Sequence, residues 1–198
     1  MAVPAEDGGT LRERKHAFVR GEIERAAWDL FGKVGFEKAT LAAISRDAGV
    51  SRRTFFRYFE SKEDLLSRSI EDFGQRIAER FAAAPLGTSA FRPLEDAMLG
   101  VMREKMREKH QPSEMQGLMF EEPNLRGRFL RALMQWVPAL SRELARRKAY
   151  RGDAARCELA AALYCIAFDQ AHLRWFRDPD RDLETHLKRA FHQLRHPQ

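Results

Sequence analysis

The chain has 198 residues, 44% of them hydrophobic, and a formal charge of +6. That length supports one large domain or two small ones around a real core, and the positive surplus favours a polyanionic partner. No apolar run approaches the roughly 20 residues of a membrane span, no secretory pattern opens the chain, and no nucleophile elbow, Gly-rich phosphate loop, HExxH or spaced Cys/His set points to an enzyme, a cofactor or a metal.

The opening MAVPAEDGGT reads as part of a flexible tail over residues 1–17 of a cytoplasmic protein. Ile23, Ala26, Ala27, Leu30, Phe31 and Val34 then keep the spacing of an amphipathic helix that stops at Gly35, a suitable C-cap. Thr40 is an N-cap for a helix with Leu41, Ile44 and Ala48 on one face, and Gly49 breaks it where a left-handed residue is wanted. Ser51 caps the next helix, Arg52 to Phe59, with Phe55 and Phe59 inward. Its remaining surface carries Arg52, Arg53, Thr54, Phe56, Arg57 and Tyr58, with no acid among them. A short helix with an apolar inner face and a cationic, hydroxyl-bearing and aromatic outer face suits insertion into a DNA major groove. Ser61 and Asp64 resemble a capping box for a fourth helix carrying Leu65, Leu66, Ile70, Phe73 and Ile77.

Pro85, Gly87 and Pro93 mark a break, after which the pattern predicts helices over about 94–109, 113–120, 123–150, 153–176 and 180–194. Pro138 should kink the third of these. The run from Leu159 to Phe176 is apolar nearly all round in its first half, which predicts burial by a second copy as well as by its own domain. Cys157 and Cys165 are eight positions apart on that helix, separated by about 12 Å, and are expected to be buried thiols. His192 and His196 lack a nearby carboxylate cluster for a metal. Methionines concentrate at Met98, Met102, Met106, Met115, Met119 and Met134, and Phe120, Trp136, Phe168 and Trp175 add aromatic surface. Polarisable side chains of this kind suit a pocket for apolar ligands. Asp169 and His172 interrupt the apolar helix, to bond a ligand head group, bridge a dimer or face solvent.

The run AAWDLFGKVGFEKATLAAISRDAGVSRRTFFRYFESKEDLL resembles the TetR-type transcriptional regulators. It carries their Gly-Phe turn, Ala-Gly-Val-Ser, Thr with aromatics and Phe-x-Ser-Lys over residues 20–70, with Phe56 where most members have tyrosine. The resemblance implies an all-α fold of about nine helices: a three-helix helix-turn-helix domain over 18–64 and a ligand-binding and dimerisation domain over 65–198. EEPNLRGRFL and AHLRWFRDPDRDL are similar to the subgroup associated with fatty acyl or acyl-CoA ligands.

The expected DNA-binding residues are Thr40, Ser51, Arg52, Arg53, Thr54, Phe56, Arg57, Tyr58 and Lys62. Within that set, Thr54 and Phe56 would read bases while Thr40, Tyr58 and Lys62 hold the phosphate backbone. A small apolar effector is expected against Met98, Met102, Met119, Phe120, Met134, Trp136, Phe168, His172 and Trp175. Leu159, Leu163, Ile166, Leu187 and Phe191 are expected at the homodimer interface. The expected partner is double-stranded DNA bearing a palindromic operator, from which an effector would release the protein. The alternative is a DNA-binding architectural or cell-division protein of the same fold without an effector.

Overall fold

The computed structural model describes residues 10–87, 91–107, 123–150, 152–178 and 180–196. These residues contain nine α-helices and no strand. The helices are α1 (Leu11–Val34), α2 (Leu41–Asp47), α3 (Arg52–Tyr58), α4 (Lys62–Ala83), α5 (Phe91–Arg107), α6 (Pro123–Met134), α7 (Trp136–Ala145), α8 (Ala154–Arg177) and α9 (Leu183–Arg195). A short 3-10 turn, Lys148–Tyr150, precedes α8. The helix expected over 113–120 lies outside the described residues.

The first helix corrects the expected tail. It starts at Leu11 because Thr10 and Glu13 form a full capping box: the Glu13 amide donates to the Thr10 hydroxyl at 3.2 Å, and the Thr10 amide to the Glu13 carboxylate at 2.7 Å. Residues 11–17 are therefore helical rather than loose.

The turn between α2 and α3 has a cause in one glycine. Gly49 sits at φ 66°, its N–H donates to the Arg46 carbonyl at 3.0 Å, and the Val50 N–H reaches the Ser45 carbonyl at 2.9 Å. That pair of bonds is a Schellman motif, and a β-carbon at Gly49 would strain it. Ser51 then accepts from the Thr54 amide at 3.0 Å and opens α3.

The predicted 123–150 helix is two helices. Pro138 has no N–H to offer the Met134 carbonyl four residues back, so the break falls at Gln135, whose N–H tightens onto Ala132 at 3.2 Å.

Helix α4 runs from the helix-turn-helix head into the C-terminal helices, where α5, α6 and α7 pack on it. Two contacts hold it. The Trp136 indole N–H donates to the Ile70 carbonyl at 3.0 Å, and a β-carbon placed at Gly74 would stand 2.1 Å from Trp136 Cδ1. Gly74 thus lets the indole lie directly on the helix backbone. At the far end, the wholly buried Arg147 donates to the carbonyls of Phe81 (2.8 Å), Ala84 (3.4 Å) and Pro85 (2.7 Å). A cation at a helix C-terminus meets the negative end of its dipole, which offsets part of the cost of burying it.

Candidate DNA-reading surface and effector cavity

Phe55 and Phe59 are buried under α3, while Arg52, Arg53, Phe56 and Arg57 are exposed on its outer face. Phe56 is half exposed, at 50%, an apolar ring left in water beside three arginines. The Thr54 hydroxyl shares a 2.9 Å hydrogen bond with the Ser51 hydroxyl, so its rotamer is fixed towards the start of the helix. Tyr58 is half-buried, its ring 4.5 Å from that of His16 on α1. The Arg57 guanidinium lies 5.1 Å from the same ring and donates to the tyrosine oxygen at 3.3 Å. Thr40 is exposed, and its hydroxyl accepts from the Ala43 amide at 3.2 Å.

Lys62, expected at the phosphate backbone, has a packing contact within the head. Its ammonium donates to the carbonyls of Phe36 at 2.7 Å and Glu37 at 3.3 Å and stands 4.3 Å from the Phe36 ring. The side chain turns onto the α1–α2 turn because those carbonyls have no helical partners there. Half-buried, it braces the head across that turn.

Behind the head lies a cavity of about 310 Å³, within the range of small-molecule sites, roughly 300–1,000 Å³. Its walls come from six helices. Glu24 and Trp28 of α1 form one side, and Ser69, Ile70, Asp72, Phe73 and Arg76 of α4 form another. Met102 and Lys105 of α5, Phe129 of α6, Trp136 of α7, and Phe168 and His172 of α8 complete it. Of the expected ligand residues, Met102, Trp136, Phe168 and His172 meet there. Met98 is fully buried in ordinary packing one turn before Met102, Met134 sits half-buried at the break after α6, and Trp175 lies beyond the cavity's end. Met119 and Phe120 lie outside the described residues.

Besides the charged Glu24, Asp72, Arg76 and Lys105, two neutral polar groups stand in the wall. His172 is buried, its Nδ1–H donates to the Phe168 carbonyl at 2.8 Å, and burial pulls its pKa down to about 4. The ring is therefore neutral at pH 7, with Nε2 left as acceptor. The Ser69 hydroxyl oxygen is buried and has no hydrogen-bond partner among the described residues. Asp169 is held elsewhere: Arg126 grips both its oxygens, at 2.5 and 2.7 Å. Burial raises the Glu24 pKa, against the pull of Arg20.

Sequence patterning missed Glu24, Trp28, Ser69, Ile70, Asp72, Phe73, Arg76, Lys105 and Phe129 as cavity residues. Trp28 falls outside the periodic stripe of Ile23, Ala26, Ala27, Leu30, Phe31 and Val34, and nothing in that period shows that α1 also closes a space behind the head.

The expected dimer set splits. Leu159, Leu163 and Ile166 are exposed at 61%, 42% and 43%, one stripe at i, i+4 and i+7 along α8. Leu187 and Phe191 are buried within the same chain, at 0% and 1%, because the apolar face of α9 packs on α8. Cys157 and Cys165 are both buried and unbridged, and burial pushes the Cys165 thiol up to about 12.

Residues 23–68 match the sequence family described as bacterial regulatory proteins, tetR family, and residues 89–197 match the MftR C-terminal domain. The second match alone spans more than half of the chain. The chain belongs to the TetR family of transcriptional regulators. It is 27% identical over 186 residues to the HTH-type transcriptional regulator TcmR of Streptomyces glaucescens, covering 90% of this chain and 82% of TcmR. Over 161 residues it is 27% identical to the nucleoid occlusion factor SlmA of Haemophilus influenzae, covering 77% and 72% of the two chains. The crystal structure of the repressor FadR from Thermus thermophilus, in complex with lauroyl-CoA, is similar with a TM-score of 0.55 and 26% identity, covering 88% of this chain and 92% of that one. TetR-family regulators bind DNA and dimerise, and ligand binding is typical of them. Among the described residues no helix is long and apolar enough to cross a membrane.

Proposed function

We propose that this TetR-family regulator is a homodimeric repressor, released from a palindromic operator by a small apolar effector of the fatty acyl or acyl-CoA class. The cavity carries the reading. Trp28, Ile70, Phe73, Met102, Phe129, Trp136 and Phe168 give it an apolar wall, Glu24, Asp72, Arg76 and Lys105 add charge, and its buried Ser69 hydroxyl lacks a partner that a ligand carbonyl would supply. An unsatisfied buried hydroxyl costs about 1–3 kcal/mol, so a ligand that satisfies it gains over a plain hydrocarbon. The bound lauroyl-CoA of the Thermus FadR supports the acyl class.

In this reading Arg52, Arg53 and Arg57 meet guanines or phosphates, while Thr54 and Phe56 read base edges from α3. Phe56 brings no hydroxyl and makes apolar contact, as with a thymine methyl. Thr40, Ser51 and Tyr58 position the head on the backbone. Leu159, Leu163 and Ile166 face a second copy, which sets two recognition helices about 34 Å apart, one turn of B-DNA. An occupant of the cavity pushes on α1 and α4 together, the two helices that carry the head. To act, it must bind the released state better; a 100-fold preference is worth about 2.8 kcal/mol.

The likeness to SlmA supports a second reading, an architectural or cell-division protein with the same head and no effector. Tryptophan emission separates the two, since Trp28 and Trp136 stand in the cavity wall. Saturable quenching by lauroyl-CoA at micromolar concentration is the expected result. Emission unmoved by lauroyl-CoA, laurate and dodecanol alike would remove the acyl effector.

A further inference from the structure

We propose that Arg20 is the positioning residue through which occupancy of the cavity reaches the recognition helix. The inference rests on the effector reading above. Arg20 lies on α1 outside the cavity, yet it touches both of the cavity's carboxylates. Its Nε donates to Glu24 Oε1 at 3.1 Å, and its Nη2 pairs with Asp72 of α4. The same guanidinium stands 5.9 Å from the centre of the Phe59 ring. Phe59 is the residue that ends α3; it is buried, and its ring is 5.8 Å from that of Phe55 on the inner face of the helix. A continuous line of contacts therefore runs from the cavity rim through one guanidinium to the underside of the helix that faces DNA.

The chemistry of the line suits a switch. A planar guanidinium can hold two carboxylates and an aromatic face at once, but only in one orientation. The Glu24 carboxyl already has its pKa raised by burial, so its charge is held in place largely by Arg20. An occupant that dries the rim favours the neutral acid, and Arg20 then loses one of its two anchors. The guanidinium follows Asp72 alone and shifts against Phe59. Its ion pairs are partly exposed, with side-chain exposures of 31% for Arg20, 25% for Glu24 and 52% for Asp72. Pairs of this kind contribute little to stability, which leaves them free to bias an equilibrium without holding the fold together.

The test measures operator affinity of the full chain with and without saturating lauroyl-CoA, and ligand affinity separately by tryptophan emission. Arg20→Gln should bind the ligand within about twofold of wild type. Its ligand-induced loss of operator affinity should nonetheless fall at least tenfold from a wild-type response of about 100-fold. Arg20→Lys, which keeps the charge and loses the fork, should recover part of the response. A full wild-type response in Arg20→Gln overturns the proposal. If wild type does not bind lauroyl-CoA, the effector reading fails, and hydrogen exchange in the ligand-free protein then decides the relay. Exchange over residues 52–59 should quicken in Arg20→Gln but not in Arg25→Gln, whose partner Glu22 lies off the cavity. Equal protection in the two variants overturns the relay.

Discussion

Three residues have duties that their types alone do not announce. Lys62 reads as a phosphate contact, being a cation at the start of a helix, and its ammonium also closes the α1–α2 turn. Lys62→Met should cost about 1–2 kcal/mol through two carbonyls left without a donor. A lowered melting temperature together with weaker binding to every DNA sequence is the expected pair of results; an unchanged melt with lost binding would leave Lys62 a phosphate contact alone. Gly74 is a packing residue, since the Trp136 indole occupies the place of its side chain. Gly74→Ala should destabilise the chain by about 1–3 kcal/mol, read by urea titration. His172 makes stability depend on pH. Its pKa is lowered from 6.5 to about 4, so the folded chain binds fewer protons than the unfolded one. Its contribution is whole above pH 6.5 and drains as pH falls towards 4, by roughly 3 kcal/mol at most. Urea titrations at pH 7 and pH 5 should show that slope, and His172→Phe should flatten it.

At the scale of the element, what the sequence made legible is what local rules dictate. Thr40, Gly49 and Ser51 announce the helix-turn-helix because caps and a positive φ are properties of a few adjacent residues. The inward Phe55 and Phe59 follow from period alone. Leu187 and Phe191 were misplaced for the complementary reason: an apolar stripe shows that a face is buried, not which chain buries it. Leu159, Leu163 and Ile166 differ because α8 also has an inner face, with Ala161, Tyr164 and Cys165 buried, so its second apolar stripe is surplus to the protomer. Leu163→Glu should therefore split the dimer, giving a monomer by sedimentation while helical content stays unchanged. A dimer of wild-type strength in that variant would move the interface elsewhere. On α3, Phe56→Ala should relax discrimination among operators by about 1 kcal/mol at the base it meets, with non-specific affinity retained.

At the scale of the molecule, the cavity was only half legible. Met102, Trp136, Phe168 and His172 follow from composition in the C-terminal helices, but another wall is formed by α1 of the head and by α4, which leads out of it. Glu24 and Trp28 reach the cavity from the middle of α1, through the way that helix is placed against α4. Such a reach depends on tertiary placement, to which a periodic pattern is blind. It also gives the molecule its logic: one space is bounded by the first helix of the DNA-binding head and by the helix leading out of it. Filling that space should turn the head relative to the C-terminal helices, and two copies should then lose the spacing of successive major grooves.

Selection of genomic fragments by the purified protein, at near-physiological salt and with or without lauroyl-CoA, puts that logic to the test. A ligand-gated dimer should enrich one palindrome and release it when lauroyl-CoA is added. Enrichment of many sites that lauroyl-CoA leaves untouched, or of no sequence at all, would contradict it.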